Sequence, residues 1–227
     1  MIFIRLKNIR QYLFTIVILT LAATNIGYSM SIATQKITYT FKLSSKTVSV
    51  SESNDYSKDY PRPDQTIQNL NIFDSDIYND TDRTRVLHHS YWDYGKTFFF
   101  RKVKGTLSFT LVLFRTFDNQ INLEQSDQFS KTIQQEFKAK YTKTELEEYG
   151  VTPPDNFVFE VINGEKWLYY KYESSGQMRF CYSIPISEKH YLMANFRFID
   201  NSVGQKSDWK EQATSTIIQI MSSFHIK

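Results

Sequence analysis

The sequence predicts an α+β fold: an antiparallel β-sheet with helices packed against it. Three observations carry this expectation. Most apolar runs alternate with polar residues at period two, the mark of strands buried on one face only. Two stretches switch to a four-residue recurrence and read as amphipathic helices. The chain also holds 18 Phe, 15 Tyr and 3 Trp but only 7 Gly in 227 residues, a composition of β-formers joined by polar loops rather than of a disordered chain. Runs of strands with separated helices are the α+β pattern.

The chain opens with Arg5, Lys7 and Arg10, followed by the apolar run YLFTIVILTLAA at 12–23. A basic start and an apolar run of this length read as an export signal, because a spanning helix needs about 20 apolar residues. Cleavage after Ala33, with Ser31 two positions before it, fits the small-x-small rule, and Ser29 and Ala23 fit nearly as well. An uncleaved short anchor is the alternative. The expectation is a signal at 1–33, one domain at 34–227 with no membrane span, and a periplasmic or secreted location. Within that domain, 34–90 supplies N-terminal strands and polar or acidic loops, and 91–227 the sheet–helix core. The single cysteine, Cys181, excludes an intramolecular disulfide, so the domain rests on hydrophobic burial.

KITYTFKL at 36–43 and part of 46–52 read as strands, and 52–70, with Pro61 and Pro63, as a loop or arm. Residues 71–85 are acidic and irregular. VLHHSYWDY, TFFFRKV and TLSFTLVLFRTF follow as strands, with Lys104-Gly105 as a hairpin turn between the last two. Leu107, Phe109, Leu111 and Leu113 share one face of the last of these, and Thr106, Ser108 and Thr110 the other. Phe129, Ile133, Phe137 and Tyr141 then mark a helix capped by Ser126. Thr144 and Glu147 form a capping box for a second, short helix ending at Gly150, and Pro153-Pro154 block its extension. FVFEVI, KWLYYKYE, MRFCYSIP and YLMANFRFI read as a meander, closed by Asn163-Gly164, SSGQ at 174–177 and SEKH at 187–190. Ser207 caps a last helix with Trp209, Ala213, Ile217 and Ile220 buried, and Phe224 and Ile226 alternate in a final short strand.

Charge narrows the function. The net charge of +3 resides in Arg5, Lys7 and Arg10, since no acid precedes Glu52. Without those three the chain balances its acids and bases. A nucleic-acid binder concentrates a basic excess on one face, so that class is excluded. No G-x-S-x-G, H-E-x-x-H, C-x-x-C or Gly-rich phosphate loop occurs, which argues against an enzyme.

The remaining candidates are local. Asp74, Asp76, Asp80 and Asp82 place four carboxylates within nine residues. Such a loop is either solvated, a contact surface for a basic protein partner, or a calcium site. Tyr78 and Asn79 stand where an EF-hand needs an acid or amide and a glycine, so that motif is absent and no cofactor is expected. His88 and His89 point to opposite faces of a strand and cannot readily share one ion. Beside them, Tyr91 and Trp92 are either interface anchors or core residues. Cys181 shares a face with Arg179 and Ser183 and lacks any histidine at a spacing that argues for a thiolate pair.

From about residue 126 to 227 the chain resembles the PsbP/MOG1-like group of α/β/α sandwich domains. The resemblance rests on a helix, then FVFEVINGEKWLYYKYE, then a returning strand pair, and on a closing amphipathic helix in IIQIMSSFHI. It covers about half of the expected exported domain and leaves 34–90 outside. It implies an exported bacterial protein and, among such proteins, a periplasmic immunity protein: a non-catalytic domain that binds and inhibits a toxin. The group shares no catalytic constellation, so no residue role transfers. The residues themselves leave open an accessory or small-ligand-binding domain of the cell envelope, with a groove lined by Tyr169, Tyr170 and Tyr172. A hydrolase whose carboxylates come together only in the fold is the third reading.

Overall fold

Each long strand carries an apolar row on one side, and the architecture follows from where those rows are covered. The computed structural model describes residues 35–64, 66, 68–79, 83–95, 103–116, 118, 120–201 and 209–227. The expected signal, Ser207, Asp80, Asp82 and most of TFFFRKV lie outside the described residues.

Residues Lys36–Lys227 group into one compact unit. Its strands are β1 (Lys36–Leu43), β2 (Lys46–Ser53), β3 (Gln68–Leu70), β4 (Thr84–Tyr94) and β5 (Gly105–Arg115). They continue with β6 (Val151–Thr152), β7 (Val158–Ile162), β8 (Glu165–Ser174), β9 (Gln177–Ser187), β10 (His190–Asp200) and β11 (His225–Ile226). Among the described residues the helices are α1 (Ser126–Lys140), α2 (Lys143–Glu148) and α3 (Trp209–Met221), with a 3-10 turn at Ser75–Ile77. The chain is thus mixed but mostly sheet.

The main sheet has seven antiparallel strands in the order β4-β5-β10-β9-β8, with β6 and β7 one after the other along the outer edge of β8. The expected meander is its centre. Asn163 and Gly164 both take positive φ (52° and 83°), as do Ser175 and Gly176 (53° and 72°), so both two-residue turns have the twist that antiparallel hairpins favour. A second, four-stranded sheet, β11-β2-β1-β3, pairs antiparallel except for the parallel contact of β1 with β3.

Two cores lie on the two faces of the main sheet. One holds Leu107, Phe109, Leu111 and Leu113 of β5 and Leu192, Ala194, Phe196 and Phe198 of β10. These pack against Tyr39, Phe41, Val48 and Val50 of the small sheet and Trp209, Ala213, Ile217 and Ile220 of α3. The other holds Leu168, Tyr170, Tyr172, Cys181 and Tyr191 beneath Phe129 and Ile133 of α1.

Five local expectations are corrected. A second sheet, rather than helices alone, covers the first face, because β1 and β2 are long enough to bury an apolar row of their own. Residues 52–70 include the end of β2 and all of β3 as well as the arm. Gly105 is the first residue of β5 and pairs with Tyr94 of β4, so Lys104-Gly105 is no turn; the Lys104 amide donates to the Tyr94 carbonyl at 3.0 Å. Ser126 is already helical, with Gln125 in the cap position and making no side-chain cap bond; the Ser126 hydroxyl accepts from Lys166 Nζ instead. Thr144 likewise lies inside α2, one residue past its start.

Candidate functional site

Alternation along the strands decides which side chains meet beneath α1. On β8, Tyr170 and Tyr172 face the helix. Tyr169 turns to the opposite face, where its ring meets Tyr182 at 4.8 Å, so it drops out of the expected trio. On β9 the same alternation brings Arg179 and Cys181 to the helix side, on β10 Tyr191, Met193 and Asn195, and on β5 Val112 and Phe114.

The helix does not seal this face along its whole length. Phe129 and Ile133 are 0% and 2% exposed, whereas Phe137 and Tyr141, next on the same stripe, are only half-buried. The C-terminal half of α1 therefore stands off the sheet. The space beneath it is a groove of about 460 Å³ running from Thr84 and Val86 of β4 to Tyr172 of β8. This lies in the range of small-ligand sites. Its walls are aromatic: Phe137 meets Tyr172 edge-on at 5.1 Å and Tyr170 at 6.1 Å, and Phe114 stacks on Tyr191 at 4.7 Å.

Three charged groups line the groove. Glu136 is an exposed residue, but its Oε2 accepts a 2.5 Å hydrogen bond from the hydroxyl of the buried Tyr191. Desolvation raises the Glu136 carboxyl above its ordinary range, against the opposing effects of that hydrogen bond and of Arg83. Arg179 stands with its guanidinium carbon 5.9 Å from the Tyr172 ring, and Lys140 Nζ lies 5.6 Å from the ring of Tyr141. Two buried polar atoms on the lining, Arg179 Nε and Asn195 Oδ1, have no hydrogen-bond partner among the described residues. Leaving such an atom unsatisfied costs about 1–3 kcal/mol, so it calls for a partner.

Cys181 forms part of the floor. Burial pushes its thiol up to about 12, only partly offset by the Tyr170 hydrogen bond and the charges of Arg179 and Lys140. A thiol held protonated is no nucleophile.

The other candidates separate. Asp74 caps the 3-10 turn, its Oδ1 accepting from the Asp76 amide at 3.0 Å, and both residues are exposed. Asp80 and Asp82 lie outside the described residues. No cluster of three or more His, Cys, Asp or Glu able to hold a metal occurs among the described residues. Trp92 is a core residue, 4% exposed, donating from Nε1 to the Ser53 carbonyl, so it offers no contact surface. Tyr91 is half-buried and stacks on Tyr60 at 3.8 Å, on one wall of a second hollow between the 60–64 arm and β4. His89 is exposed on the face of β4 opposite to His88.

His88 belongs to a buried group that the sequence reading missed. Glu52, on the inward face of β2 beside Val48 and Val50, accepts from Tyr56 Oη at 2.9 Å and Ser90 Oγ at 2.9 Å, and pairs with His88 Nε2 at 2.7 Å. Tyr39 extends the group through the Tyr56 hydroxyl at 2.8 Å. Serine bonds the carboxylate rather than the imidazole, so this is not a hydrolytic triad. It ties the small sheet to β4. Counting by twos from Val48 would have found Glu52.

No protein-family model matches the chain, and no curated protein matches it. No helix of the described residues is long and apolar enough to cross a membrane.

Proposed function

We propose that the protein is an exported, non-catalytic domain that binds a small apolar-bodied ligand in the groove beneath α1. The observation that carries this reading is the groove itself: about 460 Å³ of aromatic-walled space with two buried polar atoms, Arg179 Nε and Asn195 Oδ1, waiting for partners. Favouring a place among PsbP/MOG1-like domains are α1 on one face of the main sheet and α3 on the other. The basic-then-apolar start of the chain supports a periplasmic or secreted location.

A thermal-shift screen of cell-envelope compounds tests the reading. A ligand at 100 times its Kd stabilises the fold by about 2.7 kcal/mol, which for a domain of this size raises Tm by about 5–11 °C. Val112→Trp, which fills the groove, should abolish the shift. A panel with no hit counts against the reading.

A second reading, an inhibitor of a toxin, draws on one surface feature. Phe73 is 61% exposed and precedes Asp74 and Asp76, which gives an apolar anchor beside two exposed carboxylates. A one-to-one complex recovered by pull-down and weakened by Phe73→Ala with Asp74→Ala and Asp76→Ala supports it. Unchanged affinity removes this patch.

A further inference from the structure

Resting on the groove reading, we infer that the ligand is a planar aromatic acid whose single carboxylate docks between Arg179 and Lys140.

The argument starts from an unmatched donor. Arg179 Nε is buried and lacks an acceptor among the described residues. A buried guanidinium N–H calls for an oxygen acceptor, and its planar fork fits an oxyanion. A second cation is close by: the charges of both Arg179 and Lys140 bear on the Cys181 thiol in the groove floor. Each cation lies against a wall ring, Arg179 near Tyr172 and Lys140 near Tyr141, so both are held at one end of the groove.

Charge selects the kind of oxyanion. The lining carries Lys140, Arg179 and Glu136. Glu136 is engaged by Tyr191. The set leaves one net positive charge, which a carboxylate balances and a phosphate monoester, at about −1.5 to −2, exceeds. The body follows from the walls. Phe137 stands edge-on to Tyr170 and Tyr172, and Phe114 lies parallel to Tyr191, an arrangement that offers edges and faces to a flat ring.

The test titrates the full protein with 2-naphthoate, its neutral counterpart 2-naphthalenemethanol, and 2-naphthyl phosphate. The expected result is 2-naphthoate binding at least tenfold tighter than the alcohol and tighter than the phosphate. Arg179→Met should close most of that gap. Lys140→Met, at an exposed position that will not disturb folding, should cut 2-naphthoate affinity threefold or more while leaving the alcohol unchanged. Equal binding of acid and alcohol, with both lost in Val112→Trp, overturns the acid inference and leaves the groove reading standing. Tighter binding of the phosphate overturns the single-charge argument. No binding by any probe overturns the inference and the groove reading together.

Discussion

Replacing Glu52 with Ala should be among the most damaging single changes in the chain. The residue is 2% exposed and its carboxylate is the shared partner of His88, Ser90 and Tyr56, at 2.7, 2.9 and 2.9 Å. Its removal strands the buried His88 and Ser90 between the two sheets and leaves the Tyr56 hydroxyl only its bond to Tyr39. An unsatisfied buried group costs about 1–3 kcal/mol, and breaking a buried pair by deleting one partner about 3–5 kcal/mol. These figures overlap rather than add, because they describe the same stranded atoms. The expected loss is therefore about 3–5 kcal/mol, or a fall in Tm of about 6–20 °C for a domain of this length. Urea unfolding followed by fluorescence of the buried Trp92, Trp167 and Trp209 measures it. Glu52→Gln, which keeps an oxygen acceptor and the volume, should lose less than Glu52→Ala. A Glu52→Ala protein less than about 1 kcal/mol weaker than wild type would refute the claim that this carboxylate joins the sheets.

Other outcomes follow from single contacts. A Cβ on Gly105 would meet the Trp209 ring at 2.2 Å, so Gly105→Ala should cost about 1–3 kcal/mol in chemical denaturation, with partial recovery in a Trp209→Leu background. Equal stability of Gly105→Ala and wild type would show that the ring moves aside freely. Cys181 is 1% exposed with its thiol pushed up to about 12, so a thiol reagent at neutral pH should label it only after unfolding. Rapid labelling of the native protein would contradict that burial. His190 is lowered to about 4, first by burial and then by the charge of Arg115. Its folded value lies below the unfolded one, so the unfolded chain takes up the proton first. Stability present above pH 6.5 should thus drain away as pH falls from about 6.5 to about 4. His190→Phe should flatten that limb relative to wild type, and an unchanged slope would assign the loss to other groups.

Period-two patterning made the central meander legible. The rows Leu107–Leu113 and Leu192–Phe198, the Asn163-Gly164 turn and the buried stripe of α3 all lie where alternation and the 3.6-residue repeat put them. The same local signals could not say that β1 and β2 form a separate sheet, because that depends on which apolar row meets which across the core. Nor could they assign helix starts within one residue: Ser126 and Thr144 have capping side chains, but the helical backbone already includes both. The candidate site was legible only in fragments. Tyr170 and Tyr172 were expected in a groove, whereas the stand-off of α1 after Ile133 arises from tertiary packing that no short window contains. Trp92 shows the converse, since an aromatic in a histidine-rich strand reads alike in a core or an interface until its neighbours Tyr56 and Ser53 are placed.

The most direct test of a ligand site beneath α1 is a two-dimensional amide NMR titration of the protein with 2-naphthoate. The account predicts that saturable shifts gather at Val112, Ile133, Phe137, Tyr172, Arg179 and Met193, with Ser49 and Ser51 on the small sheet unmoved. Shifts concentrated instead around Phe73–Asp76, or the absence of any saturable shift, would contradict it.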